Sequence, residues 1–174
     1  VASNYIARSM HVIASIDLEE VQEIVRALVA LRSQAATVFV SGNGGSQALA
    51  QHLVLHLRDN NIRAYDVMAD NAWLTATAND YEYDQVAERF IQLHAKPGDA
   101  VFVISGSGDS TNVVKALVTA KNMGLRRLAL LGFGGGRAKD YAEAAVILES
   151  TDYGPVEDSF SVVVHALNEM LRPN

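Results

Sequence analysis

Apolar residues along this chain recur with two alternating periods. Within residues 18–31 they fall at Val21, Ile24, Val25, Leu28 and Leu31, the three-and-four spacing of one helix face. Residues 37–41 are then a β-branched and aromatic run, which predicts a strand. The same reasoning predicts a helix over 46–57, a strand over 62–67, and helices over 73–78 and 86–93. Pro97-Gly98-Asp99 is a turn. Residues 100–104 read as a buried strand, and 110–123 as a helix stopped by Gly124. A strand over 127–131, a loop at Gly134-Gly135-Gly136, a last strand over 144–148 and a closing helix over 156–171 complete the pattern. Strands that alternate with helices predict an α/β fold, a parallel sheet covered on both faces, with right-handed crossovers.

Two of these strands end in glycine and serine. Val38-Phe39-Val40-Ser41 runs into Gly42-Asn43-Gly44-Gly45-Ser46, and Val101-Phe102-Val103-Ile104 runs into Ser105-Gly106-Ser107-Gly108-Asp109-Ser110. A loop between strand and helix can turn backbone N–H groups and the helix N-terminus toward an anion. The plainer reading is a turn followed by an N-cap serine. It suits either loop alone but not the pair, since Ser105, Ser107 and Ser110 exceed what one cap needs. Neither loop ends in Gly-Lys-Ser/Thr, which argues against a P-loop nucleotidase. The glycine order also departs from Gly-x-Gly-x-x-Gly, so no nucleotide cofactor is expected. Ligands of such sheets bind beyond the carboxyl ends of the strands, so both loops can converge on the phosphate of one small molecule.

The 174 residues form one domain, residues 1–174, large enough for a substantial core. A net charge of −6 and a pI near 5.3 argue against a dedicated nucleic-acid binder. The absence of cysteine excludes disulfides, thiolate metal ligands and a cysteine nucleophile. No secretory pattern or membrane-length apolar run is present. A cytoplasmic protein with no membrane partner and no direct nucleic-acid contact is the expectation. Lys115, Lys121, Arg126 and Arg127 read as solvated helix and strand ends, and Arg137 and Lys139 as surface cations. Trp73 and Tyr81 read as packing residues. The apolar stripe over 21–31 is long for one sheet to cover, which points to an interface between copies.

His52 and His56 are four apart on a predicted helix, so both rings share a face, as in a two-histidine metal clip. The alternative is that His52 packs in the core and His56 is solvated. Glu157 and His165 are eight apart on the closing helix, roughly 12 Å along its axis at the rise of an α-helix. That is long for a single ion.

Taken together, these motifs resemble the sugar isomerase (SIS) domains, and within them the phosphoheptose isomerases. Gly42-Asn43-Gly44-Gly45-Ser46 with His52 resembles that family's first signature, Ala78-Asn79-Asp80 its Asn-Asp element, and Ile104-Ser105-Gly106-Ser107-Gly108-Asp109-Ser110 its phosphate loop. Asp152-Tyr153-Gly154-Pro155-Val156-Glu157-Asp158 with His165 is similar to its C-terminal helix. The resemblance covers almost the whole chain.

It implies a flavodoxin-like three-layer sandwich with a central five-stranded parallel sheet, and N-terminal helices that support oligomerisation. It further implies a homotetramer with active sites at subunit interfaces. The implied reaction is aldose–ketose isomerisation of sedoheptulose 7-phosphate to a heptose 7-phosphate through an enediol. Ser46, Ser105, Ser107 and Ser110 then take phosphate-binding positions, and Asn43, Gly44 and Asp80 sugar-contact positions. His165 takes the catalytic histidine position, with His56 and Glu157 competing for the second proton-transfer role. Some family members hold zinc at four positions that correspond here to His52, His56, Glu157 and His165. Zinc or another divalent metal is the implied cofactor, and imidazoles with a carboxylate suit it. Three departures stand out: His56 for the usual glutamate, Gly106 for threonine and Asp109 for asparagine. Histidine can still move a proton near neutral pH, but its presence also fits a non-catalytic sugar-phosphate-binding relative, either a replication-initiator adaptor or a sensor. The Ser-Gly-Ser-Gly run also resembles the hexulose phosphate isomerases.

Overall fold

Every strand of the sheet carries apolar side chains on both faces, which requires helices on both. The computed structural model describes residues 2–172. Its strands are β1 (Thr37–Ser41), β2 (Arg63–Asp66), β3 (Ala100–Ser105), β4 (Arg126–Leu131) and β5 (Ala144–Ile147). All pair in parallel, in the order β2-β1-β3-β4-β5. The two-residue period of a strand sorts their side chains. Val38, Val40, Phe102, Ile104, Leu128 and Leu130 enter one core, while Phe39, Val101, Val103, Ala129 and Leu131 enter the other.

The first core is closed by α2 (Leu18–Ser33), α3 (Gly44–Asp59) and α7 (Tyr153–Leu171), with Val12 of α1 (Ala2–Ala14) at its margin. The second lies under α4 (Asn71–Asp80), α5 (Val86–His94) and α6 (Thr111–Asn122). The result is a three-layer α/β sandwich around a five-stranded parallel sheet, as expected. The order reverses between β1 and β3, so the chain leaves these neighbours toward opposite faces. Their carboxyl ends flank a crevice, the usual ligand position in doubly wound sheets.

Hydrophobic periodicity alone does not delimit α1. The cause is its exposure: Ile6 and Met10 are 56% and 64% exposed, and only Ser9 and Val12 are buried. Side-chain bonds to α7 and its N-cap hold it instead. The Tyr5 hydroxyl donates to Asp158 Oδ2 at 2.7 Å, Ser9 Oγ donates to the same oxygen at 3.0 Å, and Arg8 Nε donates to Asp152 at 3.0 Å.

Two expectations need correction. Of the stripe, Val21, Ile24, Leu28 and Leu31 are buried within the chain against the first core and Val25 is half-buried against it, so the stripe is covered mainly by the chain's own core. The apolar surface that does remain includes Ile6, Met10 and Leu18. Arg127 is not a solvated end either. Its guanidinium is largely buried, donates to the carbonyls of Tyr141 and Leu125, and pairs with Glu143 at 2.9 Å. Trp73 does pack, with its indole N–H on the Val86 carbonyl at 3.2 Å. Among the described residues no helix is long and apolar enough to cross a membrane.

Phe102 lies at the centre of β3 and is fully buried. Phe102→Ala should lower the free energy of unfolding by about 3–5 kcal/mol through lost transfer energy and a residual cavity, read from the denaturant midpoint at an unchanged slope.

Candidate active site

The crevice is built from the ends of β1 and β3, which run side by side with Ser41 opposite Val103. The loop after β1 is pinned at both ends. The Gly42 N–H donates to Gln47 Oε1 at 2.9 Å, and Gln47 Nε2 donates to Asp66 Oδ1 at 2.6 Å. Asn43 reaches across to the other loop. Its amide and that of buried Asn112 exchange two hydrogen bonds, at 2.9 and 2.8 Å. The Tyr83 hydroxyl adds a third bond to Asn43 Oδ1 at 2.7 Å. Burial raises the Tyr83 pKa above the usual phenol value, so the group stays a donor at neutral pH. Asn43 is thus held between two partners. Asn112 and Tyr83 have no signature in the sequence, because only the fold brings them to position 43.

The loop after β3 shapes itself with its own hydroxyls. Ser105 Oγ accepts the Gly108 N–H at 3.0 Å, and Ser107 Oγ accepts the Asp109 N–H at 3.2 Å. A hydroxyl that accepts from the backbone still has its O–H free to donate. Ser46 and Ser105 are buried, and Ser107 and Ser110 half-buried. Ser110 precedes α6 but makes no side-chain cap.

The triple-glycine run braces this loop from behind. Gly108 has φ +66°, and a Cβ there would strike the Gly135 backbone. Gly136, at φ +48°, packs equally closely on the Ser107 and Gly108 backbone. Ala138 N–H closes the contact by donating to the Gly108 carbonyl at 2.9 Å. Asp109 turns to this brace, where it accepts from Arg137 N–H and Nε, both at 3.0 Å. The backbone N–H first and the guanidinium second hold its carboxyl below the ordinary aspartate range. The charge at 109 is therefore engaged by Arg137, and Arg137 is a structural clamp as well as a surface cation.

The histidines converge. Ring centroids of His52 and His56 lie 4.4 Å apart, His52 and His165 4.9 Å, and His56 and His165 5.6 Å. One nitrogen from each lies within 4.8 Å of the others. His56 is not solvated. Both of its nitrogens are shut from solvent and have no hydrogen-bond partner among the described residues. Burial, then the neighbouring His52 and His165, push its pKa below the ordinary histidine value. Three clustered imidazoles, one with two nitrogens orphaned among the described residues, fit a divalent cation.

Glu157 is not part of this trio. Its carboxylate lies against Gly45, where a Cβ would sit 2.6 Å from both oxygens. It faces the first turn of α3, whose dipole favours a negative charge. The eight-residue spacing from His165 is the reason: two turns of α7 carry Glu157 to the glycine-rich loop after β1. Asp80 ends α4, exposed, and accepts from Asn79 Nδ2 at 2.8 Å. The exposed ring of Tyr81 carries the Arg89 guanidinium 3.6 Å from its centroid.

Known proteins resemble this chain in sequence and fold. The pattern of the SIS domain family matches residues 3–132. A phosphoheptose isomerase of Mycobacterium bovis is 38% identical over 158 residues, 87% of this chain and 81% of that protein. A probable phosphoheptose isomerase of Thermoplasma volcanium is 37% identical over 171 residues, 95% of this chain and 87% of its own length. The structure of a phosphoheptose isomerase from Francisella tularensis superimposes with a TM-score of 0.92 at 24% identity, covering 98% of this chain and 95% of that one.

The depressed His56 pKa gives the metal-free protein a pH dependence. As pH falls through 6.5, the ordinary histidine value, the unfolded chain takes up a proton at His56 that the folded chain still resists. The unfolded state then binds more protons, so stability falls with pH across that window. Thermal unfolding of chelator-treated protein between pH 7.5 and 5 should show this decline, and His56→Gln should flatten it.

Proposed function

The chain belongs to the SIS domain family, and we propose that it is an aldose–ketose isomerase interconverting sedoheptulose 7-phosphate and an aldoheptose 7-phosphate. The observation that carries this reading is the identity of 37–38% to phosphoheptose isomerases over most of both chains. The paired loops at the β1/β3 crevice support it chemically. Hydroxyls and backbone amides without a lysine suit a phosphate monoester on a small molecule.

In this reading Ser46, Ser105, Ser107 and Ser110 hold the phosphate, with Gly44 leaving the loop backbone open to it. Asn43 and Asp80 contact the sugar hydroxyls. Fixing the phosphate end fixes the carbonyl end, and such positioning supplies a large part of the acceleration. A base takes a proton from C1 of the ketose while O2 gains one, giving the enediol. A proton then returns to C2 and O1 loses its own, leaving the aldehyde. No atom is gained or lost overall.

His165, on the exposed rim of the trio, is the proton-transfer residue at carbon, and Glu157 is the second acid–base group. His56, held neutral and away from water, is better suited to hold a metal than to exchange protons with substrate. A divalent ion such as zinc held by His52 and His56 would polarise the substrate carbonyl and leave His165 free for proton transfer. The exposed side chains of Ile6, Met10 and Leu18 favour burial against further copies, consistent with a homotetramer.

Conversion of sedoheptulose 7-phosphate, followed with and without added zinc, tests the activity, and no turnover under either condition would overturn it. Ser107→Ala should weaken sugar-phosphate binding about tenfold, the value of one hydrogen bond to a charged group, with the melting temperature nearly unchanged. His165→Ala should lower kcat by about a hundredfold or more.

A further inference from the structure

Tyr153 is an aromatic side chain placed over the phosphate loop that the reaction scheme above does not use. It opens α7, and 55% of its surface remains exposed. The ring edge lies directly on Gly106. A Cβ at that position would stand 2.9 Å from both Tyr153 Cδ1 and Cε1. Gly106 separates Ser105 from Ser107, so it is the one position in that three-residue stretch without a hydroxyl. The ring fills the space a side chain there would take.

The backbone around this contact is shaped to hold it. Phe133 backs the ring, with centroids 4.6 Å apart. To do so it adopts φ +53°, a left-handed conformation that costs a bulky residue free energy and persists only where its surroundings impose it. Its N–H donates to the Ser150 carbonyl at 3.1 Å. On the other side, Asp152 is tied to Arg8, and Gly154 packs closely on the Tyr5 hydroxyl. The segment on either side of Tyr153 is therefore anchored, and an exposed ring is held in one place.

We infer that Tyr153 is a substrate-contact residue, whose ring closes the phosphate loop on the α7 side and whose phenol hydroxyl donates to the bound phosphate group. This rests on the phosphosugar reading of the same crevice. The edge that meets Gly106 includes Cε1, the ring carbon next to the one that bears the hydroxyl. A tyrosine supplies both an apolar wall for the carbon chain and a polar tip for the anion.

The test is calorimetric binding of sedoheptulose 7-phosphate and of inorganic phosphate, with turnover measured separately. Tyr153→Phe should raise Kd for both ligands about tenfold, as loss of one hydrogen bond to a charged group predicts, while its melting temperature stays near wild type. Gly106→Ser should weaken binding in the wild-type background, where the new side chain meets the ring. Combined with Tyr153→Ala, it should bind more tightly than Tyr153→Ala alone, because the serine hydroxyl then has room to serve. Unchanged Kd in Tyr153→Phe would overturn the inference and leave the ring as packing on Phe133. So would a Gly106→Ser effect that is the same with and without the ring. A wild-type protein that binds the sugar phosphate without isomerising it would overturn the activity alone, with the Tyr153 comparison still decisive. One that binds neither ligand would overturn both.

Discussion

Two crossovers that leave adjacent parallel strands toward opposite faces of the sheet create the opening on which the rest of this protein depends. A parallel sheet buried on both faces leaves no surface for a ligand except its edges and ends. Between β1 and β3 the helices part, and the backbone beyond each strand is free to bend. Chemistry follows from that geometry. The first loop leads into the helix that carries His52 and His56, so anion-binding and imidazole groups share one rigid element. The second loop leads into α6 and is braced from behind by the triple-glycine segment that follows β4.

The alternation of strand and helix was legible because each core face repeats with the period of its element. The loops were legible because glycine and serine at the end of an apolar run have few other uses. What could not be read is what the fold brings together from afar. Asn112 and Tyr83 meet Asn43 across separations of 69 and 40 residues. The bracing role of Gly135 and Gly136 depends on the path of a neighbouring strand. Helix α1 escaped the periodicity because its apolar side chains face outward. The stripe on α2 was read correctly as a face, but its partner was misjudged. Periodicity says that a face is buried and not against what.

The site separates two kinds of charge. Glu157 lies at the first turn of α3, where the peptide dipoles favour it. His52 and His56 lie farther along the same helix, where burial, with His52 and His165 beside it, lowers the His56 pKa. Asp109, the negative charge nearest the phosphate loop in sequence, is engaged by Arg137. Of the two carboxylates beside the glycine-rich loops, Asp109 is paired with Arg137 and Glu157 lies against Gly45 at the first turn of α3.

The bonds from α1 to the start of α7 also bear on how the chain folds. Tyr5 and Asp158 are separated by 153 residues, and the contact joins the first helix to the last. Contacts of such long sequence separation form late, because the entropy of closing the intervening chain must first be offset by other interactions. The turn they anchor carries both Tyr153 and Glu157. Helix α7 also closes the first core through Phe160, Val164 and Leu167, so that core and the wall of the crevice are completed by one element.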